Sequence, residues 1–307
     1  MNLLVGATGF VGGHVVEYLF QQGEISKGVF RKGSHLKIMD TSGVMGIEAD
    51  LLDHHTLHEA MEGVDIVYNL ASPMPGEDED FIKVNTEGLL NLLEVATEAK
   101  AKAFVHLSTL DVFGFQSRTV GGSARPNPSN EYQRGKAEAE RLLGEFSKRS
   151  AAPRITVIRA AKAVGSRDES FVLPILTMAE SGKVTLPGGS RMSFAHPKDI
   201  ALAMYQAALG KTPTGSVFNI KSFDATPEQL ASEIVAASGK HAEVRRQGFL
   251  SGPSLSKYTT EQLKAALLLE DQTSWKDLGY APAYTLQSTC EEIGKWYLKS
   301  PWITESA

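Results

Sequence analysis

Short apolar runs separated by polar, glycine-punctuated stretches mark the first half of the chain. Residues 2–5, 27–30, 44–48, 65–70, 103–108 and 154–159 read as six strands. These runs are apolar throughout instead of alternating, as expected where helices cover both faces of a sheet. Between them, apolar residues recur at helical spacing over 10–21, 54–61, 79–99 and 129–149. Alternation of this kind predicts an α/β protein built on a doubly wound parallel sheet.

After Ala160 the pattern is less regular. A helix is predicted over 171–181, broken by Gly182, and Pro187-Gly188-Gly189 reads as a turn. Residues 197–209 predict a helix with proline at its first position, and 215–220 a strand. Thr226 is a suitable N-cap for another helix. Helical spacing returns over 254–269 and 286–299, and no linker, low-complexity tract or repeat divides the chain.

The turn after the first strand is Gly6-Ala7-Thr8-Gly9-Phe10-Val11-Gly12-Gly13. A strand, a glycine-rich turn and a helix start form a pyrophosphate site. Gly6 permits the tight turn, Gly9 lets the backbone approach the phosphates, and Gly12 lets the helix pack close to the sheet. The helix N-terminus adds N–H donors and a positive dipole end. The expected organisation is therefore a dinucleotide-binding Rossmann domain over 1–160, to which 196–220 return. Residues 161–195 and 221–307 form a smaller, mixed substrate-binding region at the sheet edge.

An enzyme that uses NAD usually carries an acid at the end of the second strand, bonding the ribose 2′-OH. Here the segment is Val29-Phe30-Arg31-Lys32-Gly33-Ser34. Two cations and a serine suit a 2′-phosphate, and Arg31 offers it a bidentate fork. NADP(H) is the expected cofactor, with NAD(H) as the alternative.

Tyr132-Gln133-Arg134-Gly135-Lys136 lies near the start of a predicted helix, where positions four apart share a face. A phenol has an ordinary pKa near ~10. A lysine ammonium beside it is expected to lower that value, so that Tyr132 exchanges a proton with a carbonyl or alcohol oxygen. His106-Leu107-Ser108-Thr109 closes the fifth strand at its carboxyl end, where ligands collect. One hydroxyl there is expected to hydrogen-bond the substrate oxygen. Ser108 and Thr109 point to opposite sides of a strand, and the sequence leaves open which faces the substrate.

With these motifs the chain resembles an extended short-chain dehydrogenase/reductase of the NAD-dependent epimerase/dehydratase group over nearly its whole length. Gly6, Gly9 and Gly12 match that family's phosphate loop, which implies Thr8, Phe10 and Val11 as cofactor contacts as well. Asp50 and Leu51 match its adenine-contacting segment, and Leu70, Ala71 and Ser72 the segment lining the cofactor ribose. Asn85 belongs to its Asn-x-x-Gly helix, and Phe194-Ala195-His196-Pro197, Phe218-Asn219-Ile220 and Leu278-Gly279-Tyr280 match later landmarks. The resemblance implies Thr109, Tyr132 and Lys136 as the catalytic set, with Tyr132 and Lys136 also touching the cofactor. It also implies a homodimer joined through the helices that hold Asn85 and Tyr132. The chain departs from the family at Arg159-Ala160, where the family often has Arg-Pro. It departs again at Met192, in a slot that often holds arginine in sugar-nucleotide members.

The formal net charge of −5 over 307 residues gives no basic footprint for nucleic acid and no polybasic membrane anchor. The one cysteine, Cys290, sits in a helical pattern and reads as a packed residue, which fits a reducing, cytoplasmic setting. No signal peptide is expected before a first strand that starts at Asn2. His54, His55 and His58 read as part of an ordinary surface helix, and no metal is expected. The acidic run Glu77-Asp78-Glu79-Asp80 is expected to favour the next helix N-terminus, and Trp275 and Trp296 read as core or interface anchors. The expected activity is a NADP(H)-dependent oxidoreductase that interconverts a carbonyl and an alcohol on a small molecule. The alternative is a NAD-dependent sugar-nucleotide epimerase/dehydratase, and a dinucleotide sensor without catalysis is a third reading. Loops around 73–79, 115–130 and 165–171 are expected to select the substrate.

Overall fold

The computed structural model describes residues 1–31, 43–72, 81–115, 119–121, 124–246, 255–270, 273–279 and 281–300. Its centre is a seven-stranded parallel sheet of β1 (Asn2–Val5), β2 (Ser26–Phe30), β3 (Met45–Glu48), β4 (Ile66–Asn69), β5 (Ala103–Thr109), β6 (Arg154–Ala160) and β7 (Ser216–Ile220). The spatial order is β7-β6-β5-β4-β1-β2-β3. The chain starts in the middle of the sheet at β1, which pairs with both β2 and β4. From there it builds out to β3, returns to β4 and grows outward on the other side. The reversal leaves a crevice between the carboxyl ends of β1 and β4, the position where open α/β sheets bind ligands.

Apolar strands make sense in this setting, because each face has its own core. On one face Leu4, Val105 and Ile158 pack against α1 (Phe10–Gln21) and the late helix Pro197–Leu209. On the other, Leu3, Val5, Phe104 and Ile155 meet α2 (His54–Ala60), α3 (Leu89–Glu98) and α4 (Glu131–Phe146). Leu3 and Leu4 thus face opposite helical layers, as the alternation of side chains along a strand requires.

The remaining strands are short and form smaller sheets. Met192–Ala195 pairs antiparallel with Phe223–Ala225 and parallel with Lys162–Ala163. α5 (Val172–Glu180) precedes α6 (Pro197–Leu209), the late helix of the large sheet, while α5, α7 (Pro227–Ala237), α8 (Lys257–Ala265) and α9 (Leu286–Leu298) lie around the small sheets. A third apolar cluster fills this region, including Phe171, Phe194, Leu230 and Ile293. Cys290 is buried in it, and so is Trp275 in the first cluster, as expected of packed residues.

Two predicted helices differ from the observed ones. The helix expected over 79–99 contains a π-helical turn at Val84–Gly88 before α3 begins. The helix expected over 254–269 is α8 alone. Ser256 caps it, and Ala266 adopts a left-handed φ of 48° at its end. Leu268–Leu269 then leave helical spacing to pair with Thr119–Val120, so tertiary pairing outweighs the helical preference of that leucine run.

Candidate active site

The glycine turn lies at the crevice. Gly6 has φ +87°, and a Cβ there would sit 2.7 Å from the Ala71 backbone nitrogen on the neighbouring β4 loop. A Cβ on Gly12 would come 2.0 Å from the Gly6 carbonyl oxygen. Only glycine therefore allows α1 to start against this turn. Gly9 is the N-cap of α1, in extended backbone, and no side chain caps that helix end. The first-turn amides of α1 are left for a ligand. A backbone-walled cradle at a helix N-terminus fits the pyrophosphate of a dinucleotide.

Two cavities meet at this cradle and share Gly6, Gly9, Leu70 and Ser72 in their walls. The smaller, about 290 Å³, runs over the ends of β1, β2 and β3, and Thr8, Arg31, Asp50, Leu51 and Ala71 line it. The larger, about 1040 Å³, takes in Phe10, Val11, Gly12, Thr109, Tyr132 and Lys136. All the expected contacts but one thus fall on these two walls. The exception is Asn85, which is buried in the π-helical turn, while its neighbour Val84 lines the smaller cavity. Lys32, Gly33 and Ser34, and the expected substrate loop 73–79, lie outside the described residues.

A capping box fixes the start of α4 and with it Tyr132. The Asn130 side chain accepts from the Gln133 N–H at 3.0 Å, and Gln133 Oε1 accepts from the Asn130 and Ser129 amides. One turn on, Lys136 is buried. Its Nζ donates to the Leu107 carbonyl at 2.8 Å and lies 3.5 Å from His106 Nε2. Burial pushes the Lys136 ammonium down to about 8, against an opposing pull from the Glu140 carboxylate. The Tyr132 phenol moves the other way from expectation. Burial raises its pKa, the Asp111 carboxylate raises it further, and the Ser72 hydroxyl opposes them. The expected lowering by Lys136 is corrected here: the ammonium is turned to the Leu107 carbonyl, and desolvation governs the phenol.

Ser108 and Thr109 take different tasks. The Ser108 hydroxyl donates to Glu140 Oε1, and Arg159 holds that carboxylate through Nε at 3.0 Å to each oxygen. Thr109 Oγ1 accepts from the Asp111 N–H at 3.1 Å, capping the short 3₁₀ turn Leu110–Phe113. The Thr109 hydroxyl in turn donates to the Asp111 carboxylate and helps to lower its pKa, and the residue lines the larger cavity without a tie to the buried Glu140–Arg159 pair. Thr109 is therefore the better-placed hydroxyl of the two.

Sequence reasoning missed the far wall of the larger cavity. Tyr258 on α8 stacks edge-on to Tyr132, with ring centroids 5.1 Å apart. Its hydroxyl donates to Asp111 Oδ2 at 2.6 Å, and Gln262 Nε2 donates to the same oxygen at 2.7 Å. Burial raises the Asp111 pKa, and these donors oppose the shift. Lys162 also lines this wall, with its Nζ 5.6 Å from the Phe171 ring centroid. Asp111 had a visible signal, a carboxylate within the apolar run Leu110-Asp111-Val112-Phe113. Tyr258 had none, because nothing in the spacing of α8 points to a residue 147 positions earlier.

Comparison with known proteins gives a consistent picture. A family model described as the NAD dependent epimerase/dehydratase family matches residues 2–220. Uncharacterized protein YbjS of Escherichia coli (strain K12) is 25% identical over 325 residues, covering 96% of this chain and 96% of its own length. The N-acetyl-alpha-D-glucosaminyl-diphospho-ditrans,octacis-undecaprenol 4-epimerase of Escherichia coli O157:H7 is 27% identical over 190 residues, 61% of this chain and 56% of its own. The crystal structure of UDP-glucuronic acid 4-epimerase from Bacillus cereus in complex with NAD superposes with a TM-score of 0.80 at 24% identity, over 98% of this chain and 97% of that one. That likeness shows the shared Rossmann fold.

Proposed function

The chain belongs to the NAD dependent epimerase/dehydratase family, and from that premise we propose that it is a hydride-transfer enzyme of the epimerase/dehydratase type, acting on a hydroxyl-bearing carbon of a small molecule such as a sugar nucleotide. The observation that carries this reading is the meeting of two features on one continuous wall. The glycine cradle at Gly6–Gly12 opens into the same cavity as Thr109 and Tyr132. When bound, a nicotinamide ring supplies the hydride acceptor and donor. The backbone of Gly6, Gly9 and Gly12 would hold its pyrophosphate, and Asp50, Leu51 and Ala71 its adenosine half.

The chain's own groups handle the proton. Tyr132, kept as a neutral phenol by burial, donates its proton to a substrate carbonyl oxygen as that oxygen becomes a hydroxyl, and the resulting phenolate takes a proton back when a hydroxyl is oxidised to the carbonyl. Thr109 exchanges its hydrogen bond to Asp111 for one to the same oxygen and stabilises developing charge there. Tyr258 and the Asp111 carboxylate close the far side, so Tyr132 works in a partly desolvated corner.

A second reading is a NADP(H)-dependent reductase or dehydrogenase, and Arg31 favours it. This cation lies in the wall of the smaller cavity at the end of β2, where a NAD-selective site usually has an acid. One experiment separates the two readings. The purified protein is denatured and its supernatant assayed for released dinucleotide, and the native protein is then offered UDP-sugars and, separately, NADPH with a carbonyl panel. Tightly held NAD and interconversion of sugar epimers are the expected result. Consumption of NADPH without any epimerisation overturns it in favour of the reductase.

A further inference from the structure

Lys162 is a cation in the larger cavity that the protein itself leaves without an oxygen acceptor. It belongs to the short strand Lys162–Ala163, which starts just beyond the carboxyl end of β6 and pairs with Phe194 and Ala195. Its side chain lines the cavity together with Thr109, Tyr132 and Tyr258. Among the described residues its Nζ makes no hydrogen bond and no ion pair, and its recorded contact is the face of Phe171, 5.6 Å away at the ring centroid. An ammonium has three donors to place, and a ring face serves them less well than oxygen does.

The neighbouring carboxylates do not fill that role. Asp168 and Asp111 favour the charged ammonium against its burial, but neither forms an ion pair with it. Both are engaged by other donors. Asp168 Oδ1 accepts from the Ser170 amide at 2.8 Å and the Ser170 hydroxyl at 2.7 Å, and Asp111 Oδ2 accepts from Tyr258 and Gln262. Glu169 and Lys257 share the wall but are exposed, so water screens them. A half-buried charge held this way, beside the reacting corner, is what a ligand of opposite charge completes. A single ammonium among carboxylates suits one negative charge better than the nearly doubled charge of a phosphate.

We infer that Lys162 is a specificity-determining residue that takes a substrate carboxylate, so that the preferred substrates are acids, with uronic-acid sugar nucleotides as the class to offer. The inference rests on the hydride-transfer reading for what the bound acid undergoes, while the binding step stands apart from it. Ala160 is the register partner of Thr109, and a strand advances about 3.3 Å per residue, so Lys162 stands roughly 7 Å along from Thr109. That spacing lets one sugar ring with its exocyclic carbon reach from the Thr109 hydroxyl to the ammonium.

Calorimetric titration of the NAD-loaded full chain with UDP-glucuronic acid and, separately, UDP-glucose tests it without turnover. The two ligands differ at C6, which carries a carboxylate in one and a hydroxyl in the other. The uronate is expected to bind at least about tenfold more tightly. Lys162→Met should erase that preference and leave UDP-glucose affinity within about twofold, while Lys162→Arg should keep most of it. Equal affinity of the unmodified protein for the two ligands, or no binding of either, overturns the proposal even if no variant folds. A preference that survives Lys162→Met overturns it as well. So does an equal weakening of both ligands in that variant, which would assign the lysine to the diphosphate. Turnover of UDP-glucose without uronate preference sinks this inference alone, and Lys162-dependent uronate binding without any turnover sinks the functional reading alone.

Discussion

Replacing Lys136 by methionine is expected to stabilise the protein at neutral pH. Burial lowers the Lys136 pKa from its ordinary 10.5 to about 8. A lysine whose folded-state pKa lies below its unfolded value binds fewer protons when folded. Its penalty is therefore complete below pH 8, and stability rises as pH climbs from about 8 to 10.5. The gap corresponds to ~3 kcal/mol below pH 8. Methionine fills much of the same volume without a charge, but leaves the Leu107 carbonyl without its donor, a loss of ~1 kcal/mol. The net expectation is a gain of ~2 kcal/mol at pH 7 that shrinks with rising pH and reverses near pH ~10. Urea denaturation followed by circular dichroism, at half-unit steps from pH 6.5 to 10.5, measures it for both proteins. Equal or lower stability of the variant at pH 7, or two parallel pH curves, refutes the reasoning.

Gly12→Ala forces a methyl to within 2.0 Å of the Gly6 carbonyl, so calorimetric titration with NAD and NADP should show binding weakened at least about tenfold. Glu140→Ala leaves the partly buried Arg159 guanidinium without its carboxylate, and chemical denaturation should register a loss of ~3 kcal/mol. Arg31→Glu places an acid at the end of β2, and the ratio of NADP to NAD affinity should fall by about tenfold or more. An unchanged ratio would remove Arg31 from the cofactor argument.

The central sheet was legible because each of its signals is local. The apolar run at Leu3–Val5 with its glycine turn, and the run at Phe104–Leu107, need no distant partner to be recognised. Arg31 is legible for the same reason, since it sits at a fixed offset after a strand, whereas Asp50 and Ser72 rest on the resemblance to the family. What the sequence did not disclose depends on meetings in space. Lys136 was expected to act on Tyr132, yet its ammonium is committed to Leu107, because β5 passes beneath α4. Asn85 shares a motif with Val84, but the π-helical turn brings only Val84 to a cavity wall. The choice between Ser108 and Thr109 waited on Glu140, which accepts the serine hydroxyl and is itself held by Arg159 from a separate element.

The wall formed by Asp111 and Tyr258 joins segments 147 residues apart. The dinucleotide half of the cleft draws its contacts from β1 to β4 and the start of α1, before either segment is needed. Its facing half comes from a helix outside the parallel sheet, anchored to it at one carboxylate. The two halves are thus separable in inheritance. Substitutions along α8 can redraw what the cleft accepts without touching the glycine turn, and drift in the turn is confined by backbone collisions that α8 does not feel. Divergence in a lineage built this way is expected to accumulate on one side of the cleft, so that chains with a common nucleotide grip part company in the molecules they accept.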